Sequence, residues 1–159
     1  MFNSLSLRPW RQSDCRMIYD WRMDPSVRSN SFNKREFSYS EHEQWFRKFI
    51  CNPFSFGYIL EKYGEPVAQI RFDKTMKDGC YNISISTAPG ETGKGYGSAI
   101  LELGCKDSAL LKYARLFVAE VFEDNFPSRR IFEKNGFSIC AQTKIDGHTV
   151  LLYRRTVTL

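Results

Sequence analysis

The segment best equipped for chemistry is Glu91-Thr92-Gly93-Lys94-Gly95-Tyr96-Gly97-Ser98. Its three glycines alternate with other residues just ahead of an apolar, helix-like pattern. Lacking Cβ atoms, such a loop lets backbone N–H groups approach an anion, and a helix start adds positive potential. Lys94 adds a cation. The chemistry suited to this is the grip of a pyrophosphate, although the same glycines would also serve a plain strand-to-helix turn. The Gly-Lys-Ser/Thr of a nucleotide triphosphate loop is absent. The dinucleotide fingerprint is also a poor match, because it belongs to a first βα unit and several strands precede this loop.

Other chemistries are excluded by counting. Two histidines, His42 and His148, cannot supply a metal cluster, so no metal is expected. The five cysteines are Cys15, Cys51, Cys80, Cys105 and Cys140; they are widely spaced and include no C-x-x-C pair. They read as reduced small hydrophobes rather than a disulfide frame or a zinc site. Lys and Arg number 23 against 18 Asp and Glu, a net charge of +5 that favours anionic ligands. No run of five basic residues occurs, so nucleic acid is not an expected partner. No apolar run approaches the roughly 20 residues of a membrane span, and the first residues lack the pattern of a secretory signal. The expectation is a cytoplasmic protein folded as one domain over residues 1–159.

The elements that must position the loop follow from periodicity. Leu5–Arg8 reads as a first strand. Ser13 reads as the N-cap of a helix to about Arg22, with Met17, Ile18 and Trp21 on one face, and Asp24-Pro25 stops it. Residues 25–39 are polar and irregular, with Phe32, Phe37 and Tyr39 among them. Ser40-Glu41-His42-Glu43 matches a capping box before a helix that buries Trp45, Phe46, Phe49 and Ile50. Phe56–Glu61 and Val67–Phe72 read as strands about a turn at 63–66. Tyr81, Ile83 and Ile85 alternate with polar residues in a third. A long helix is expected from about Gly95 to Tyr113. Next come a strand over Arg115–Val121, a short helix over Pro127–Asn135 closed by Gly136, and a hairpin about Asp146-Gly147. The order is β-α-α-β-β-β-α-β-α-β-β. This is an α/β (α+β) domain, with a mixed, mostly antiparallel sheet flanked by about four helices.

Asn125-Phe126-Pro127-Ser128-Arg129-Arg130-Ile131-Phe132-Glu133-Lys134-Asn135-Gly136-Phe137 resembles the N-x-x-A-x-x-x-Y-E-K-x-G-F signature of the GCN5-related N-acetyltransferase (GNAT) superfamily. The glycine loop resembles that superfamily's Q/R-x-x-G-x-G/A motif, and the element order resembles its fold. The resemblance implies an enzyme that moves an acetyl group from acetyl-CoA, used as cosubstrate, to a primary amine. It implies that the backbone of Gly93, Lys94, Gly95, Tyr96 and Gly97, with Thr92 and Ser98 beside them, holds the pyrophosphate. The strand through Ile85, Ser86 and Thr87 would pair with the pantetheine arm, near Asn125 and Ser128. A backbone N–H near Ile85 would polarise the thioester carbonyl. Two departures stand out. Thr92 replaces the motif's first Gln or Arg. Phe132 replaces a Tyr that protonates the departing thiolate in relatives, which leaves the general acid open.

Glu120, in Ala119-Glu120-Val121, resembles the base of ribosomal-protein N-terminal acetyltransferases. On a strand between apolar neighbours, burial would make it hold its proton more tightly; an outward-facing carboxylate is the plain alternative. His42 is the other candidate base, since imidazole titrates near neutrality. The pattern Trp21-Arg22-Met23-Asp24…Val27-Arg28…Glu41-His42…Trp45-Phe46 resembles the amino-sugar-nucleotide N-acetyltransferases of the pseudaminic acid (flagellin glycan) type. This implies acetylation of the 4-amino group of a nucleotide-linked sugar. Arg22 and Arg28 would sit on the diphosphate and Trp21 would stack or pack. Two other functions stay open at this point: a protein N-terminal acetyltransferase, and a non-catalytic acetyl-CoA-binding domain. The state is expected to be monomer or homodimer.

Overall fold

The computed structural model describes residues 4–29 and 36–158. Strand β1 (Leu5–Pro9) leads through a 3₁₀ turn (Gln12–Asp14) into helices α1 (Cys15–Met23), α2 (Pro25–Arg28) and α3 (Tyr39–Cys51). A meander of β2 (Phe56–Lys62), β3 (Glu65–Lys74) and β4 (Cys80–Thr87) follows. Helices α4 (Tyr96–Gly104) and α5 (Ser108–Leu111) cross over to β5 (Leu116–Phe122). Helix α6 (Phe126–Lys134) precedes the hairpin of β6 (Ser138–Ile145) and β7 (His148–Thr156). The sheet order is β1-β2-β3-β4-β5-β7-β6, and every neighbouring pair is antiparallel except β4 with β5.

Strand alternation sends apolar side chains to both faces of the sheet. On one face, Ile70, Phe72, Tyr81, Ile83, Phe117, Ala119 and Tyr153 pack with Ile100 and Leu101 of α4 and Phe132 of α6. On the other, Trp10, Ile18, Phe46, Phe49 and Ile59 form a smaller core under α1 and α3. Trp10 lies directly over Gly57, where a Cβ would come within 2.4 Å of the indole. Its ring stacks on Phe46 at 5.3 Å and its N–H donates to the Tyr58 carbonyl at 3.2 Å.

Several sequence expectations are corrected. Ser13 does not cap α1; the N-cap position is Asp14, whose side chain makes no bond to that helix and instead accepts from the Arg11 N–H ahead of the 3₁₀ turn at 2.7 Å and from both arms of the Arg8 guanidinium at 2.8 Å. Burial favours the neutral acid, but the Arg8 fork and the Arg11 amide outweigh it and hold Asp14 below its ordinary value. The cap of α3 is Ser38, not Ser40, because the Ser38 hydroxyl takes the Glu41 N–H at 3.1 Å. Within the stretch read as irregular, Pro25–Arg28 is a helical turn capped by Asp24, whereas Phe32 lies outside the described residues.

The long helix expected from Gly95 to Tyr113 is two helices. Asp107 accepts from Ala109 and Leu110 N–H groups at 3.1 and 3.4 Å and from the buried Tyr58 hydroxyl at 2.6 Å. Side-chain capping there restarts the chain in a new direction, which apolar periodicity alone does not reveal. The described residues thus hold six α-helices rather than about four.

Candidate active site

The parallel pairing of β4 and β5 is brief. Cys80, Tyr81 and Asn82 face Leu116, Phe117 and Val118, and there it ends. Beyond Asn82, β4 pairs only with β3, and beyond Val118, β5 pairs only with β7. Every second residue of such a strand turns its N–H and C=O away from its remaining partner. The gap therefore presents main-chain donors and acceptors from Ile83–Thr87. A cleft of about 660 Å³ occupies it, lined by Ile83–Pro89 on one side and Glu120–Phe122 on the other.

The glycine loop closes one end of this cleft. Gly93 and Gly95 have φ of 82° and 84°, a region that costs an L side chain roughly 1–2 kcal/mol. A Cβ on either would meet nothing within 4 Å, so the space in front of them is open. Gly95 is the N-cap of α4 and no side chain caps the helix. Its first-turn N–H groups, at residues that line the cleft, are left as donors for a ligand. Thr92 and Ser98 line the cleft with them. Gly97 has a different job: a Cβ there would lie 2.8 Å from Ile131 Cδ1, so its bareness lets α6 approach α4. Lys94 is turned away, exposed, with its ammonium 2.9 Å from Glu91 and not among the lining residues. Asn125 and Ser128 reach the cleft, and the Asn125 side chain caps α6 by accepting the Ser128 N–H at 3.3 Å.

Glu120 is the one acidic side chain among the described lining residues, against Arg22, Arg71, Arg130 and Lys134. The residue is exposed rather than buried, which is the outward-facing alternative of the two readings. Strand register places it on the same sheet face as Ser84 and Arg71. Arg22 also lines the cleft, with its guanidinium 4.6 Å from the Phe37 ring and 5.2 Å from the Trp45 ring. Burial, then the nearby charge of Arg71, pushes its pKa down to about 10.

His42 is not in the cleft. It is 1% exposed, and its Nε2 lies 2.9 Å from the Cys15 carbonyl, so that nitrogen carries the hydrogen. Burial, with the charges of Arg22 and Arg71, holds its pKa below the ordinary value. Rings of Tyr19, Tyr39, Trp45 and Phe46 surround it. A base must reach the proton it abstracts, and this imidazole is walled off. Trp21 is half-buried outside the lining, and Arg28 is outside it too, bonded to Glu36 at 3.1 Å. Phe132 does line the cleft, 5% exposed, against Phe137 and Tyr153. The Tyr153 hydroxyl behind it donates to Glu133 at 2.7 Å and is not a cleft residue.

A family model for the acetyltransferase (GNAT) domain matches residues 4–138. The chain belongs to the GNAT family. It is an acetyl-CoA-dependent N-acetyltransferase by that membership. Among solved structures, the fold is similar to the spermidine N-acetyltransferase of Vibrio cholerae in complex with CoA and spermine. The two share 18% identity and a TM-score of 0.84, over 96% of this chain and 95% of that one. It is also similar to yncA of Salmonella typhimurium with its cofactor acetyl-CoA, at 19% identity and TM-score 0.81, over 97% and 94%. A ribosomal L7/L12 alpha-N-protein acetyltransferase gives 17% and 0.79, over 98% and 91%. At these identities the likeness is one of fold. No curated protein matches the sequence.

The GNAT cleft fits acetyl-CoA by its donor set: uncapped helix amides and open glycines for the pyrophosphate, then a free strand edge for an amide-bearing arm. Sequence reasoning missed Arg71, Arg130 and Lys134. Arg71 carried a signal, since Gln69, Arg71 and Asp73 alternate with apolar residues on β3 and so share one face.

Proposed function

We propose that this GNAT domain acetylates the primary amine of a nucleotide-linked amino sugar, the 4-amino group being the best match to its sequence pattern. The single observation behind this reading is the cleft itself. It joins an uncapped helix N-terminus, an unpaired strand edge, the Glu120 carboxylate and the Arg22 guanidinium along one surface. Bound acetyl-CoA would supply an activated thioester for attack by an amine. The chain's own contribution is then positioning. Amides of Gly93, Gly95, Tyr96 and Gly97 bind the pyrophosphate, while the edge of Ile83–Thr87 aligns the pantetheine arm. A β4 N–H near Ile85 faces the carbonyl oxygen as charge develops there. Glu120 takes the proton from the attacking amine. Arg22 receives the diphosphate of the acceptor. Phe132 lines the cleft with an apolar ring that would exclude water and has no proton to give, so CoA would leave as a thiolate and take its proton from solvent.

A second reading is a protein N-terminal acetyltransferase. It is favoured by one observation: Glu120 is exposed in the cleft wall, where it could also meet a peptide amine. The deciding experiment offers nucleotide-linked amino sugars and N-terminal peptides with acetyl-CoA and counts the CoA released. Turnover with the sugar nucleotides supports the first reading. Turnover confined to peptides replaces it with the second.

A further inference from the structure

Arg71, which sequence reasoning missed, stands beside Arg22 in the cleft wall. The two guanidiniums share one ring, with Arg22 at 5.2 Å and Arg71 at 5.0 Å from the centroid of Trp45. Asp73 offsets one charge, accepting from Arg71 Nε at 2.7 Å. No ion pair or hydrogen bond to Arg22 occurs among the described residues, although the Asp73 carboxylate also lies near enough to act on its charge, less strongly than Arg71 does. Two like charges held together on an aromatic wall, sharing a single carboxylate and one of them half-buried, keep an excess of positive charge that something negative would offset. Guanidinium forks suit phosphate oxygens, and the flat indole fixes both forks in place.

We infer that Arg22 and Arg71 form a paired-guanidinium phosphate subsite, which restricts the acceptor to amines that carry a phosphate or diphosphate group. Arg71 is thus a specificity-determining residue. Polycationic amines are rejected by the same charges that hold the phosphate. The inference rests on the acetyl-transfer reading for the cleft's other arm, and it is independent of which sugar or nucleoside bears the phosphate.

The test uses the full chain saturated with CoA, so that the glycine loop is already filled. Inorganic pyrophosphate is titrated at constant ionic strength while Tm and tryptophan fluorescence are followed. Pyrophosphate is expected to raise Tm, with apparent affinity at least about tenfold weaker in Arg22→Met and in Arg71→Met, and partly recovered in Arg71→Lys. CoA alone should still raise Tm in all three variants, which reports that each has folded. A pyrophosphate response that is absent from the CoA-loaded protein, or undiminished in both Met variants, overturns the subsite. A response to spermidine in place of pyrophosphate overturns it too. If CoA leaves the parent chain's Tm unmoved while pyrophosphate binding still depends on Arg71, the acetyl-transfer reading falls and the phosphate subsite stands.

Discussion

Among the described residues, Glu120 is the sole carboxylate facing a cleft that four cationic side chains also line. If it accepts the amine's proton, Glu120→Gln should lower kcat by about 10²–10⁴-fold. Acetyl-CoA should still raise the variant's Tm, because nothing in the pyrophosphate cradle changes. Equal loss of both would mark Glu120 as a binding group instead. His42 makes a different prediction. Its folded-state pKa lies below the ordinary 6.5, because of burial first and then the nearby arginine charges. As pH falls, the unfolded chain takes up that proton before the folded one does. The stability this neutral imidazole contributes is complete above 6.5 and is lost as pH falls through the folded value. Urea midpoints measured from pH ~7.5 down to pH ~5 should therefore drop more steeply in the parent than in His42→Phe. Parallel slopes would refute this. The variant should start lower near neutrality, since it loses the bond to the Cys15 carbonyl.

At the scale of elements, α4 and α6 meet where Gly97 leaves room for Ile131. Gly97→Ala should cost about 1–3 kcal/mol by overpacking. Ile131→Val removes the Cδ1 that lies 2.8 Å from the added Cβ, so the double variant should regain most of that loss. Chemical denaturation of the four proteins in the cycle measures it. Local signals made much of this architecture legible. The glycine loop, the α6 signature and the Asp146-Gly147 turn all act within a few residues of themselves, and the structure has each where its residues put it. The break between α4 and α5 was legible in principle from Asp107 followed by Ser-Ala-Leu, but an apolar stripe masked the cap. Arg22 was legible as a candidate, but its pairing with Arg71 was beyond such reading. They lie on a strand and a helix from different parts of the chain, and only the packing of α1 and α3 against the sheet brings them to one ring. His42 misled for a related reason. Its residue type alone suggested a base, and tertiary contacts enclosed it in an aromatic box instead.

For the whole molecule, a ligand that binds only the folded state must stabilise it, and acetyl-CoA at 100 times its Kd should add about 2.7 kcal/mol. A thermal scan reads this directly, and an unmoved Tm at saturating acetyl-CoA would refute cofactor binding in the cleft. The sheet also has an uneven grain. Its β1–β4 half and its β5–β7 half are stitched along only three residue pairs, after which the edges part. Everywhere else a strand is laced to its neighbour for most of its length. The weak seam is therefore built into the backbone, and whatever fills it acts as a missing strand that zips the two halves shut. Amide hydrogens of Ile83–Thr87 that have no partner in the empty cleft should exchange fast and slow sharply once it is filled. Loading the cofactor would then be felt as far as the outer strands, as a stiffening of the whole sheet before any acceptor arrives.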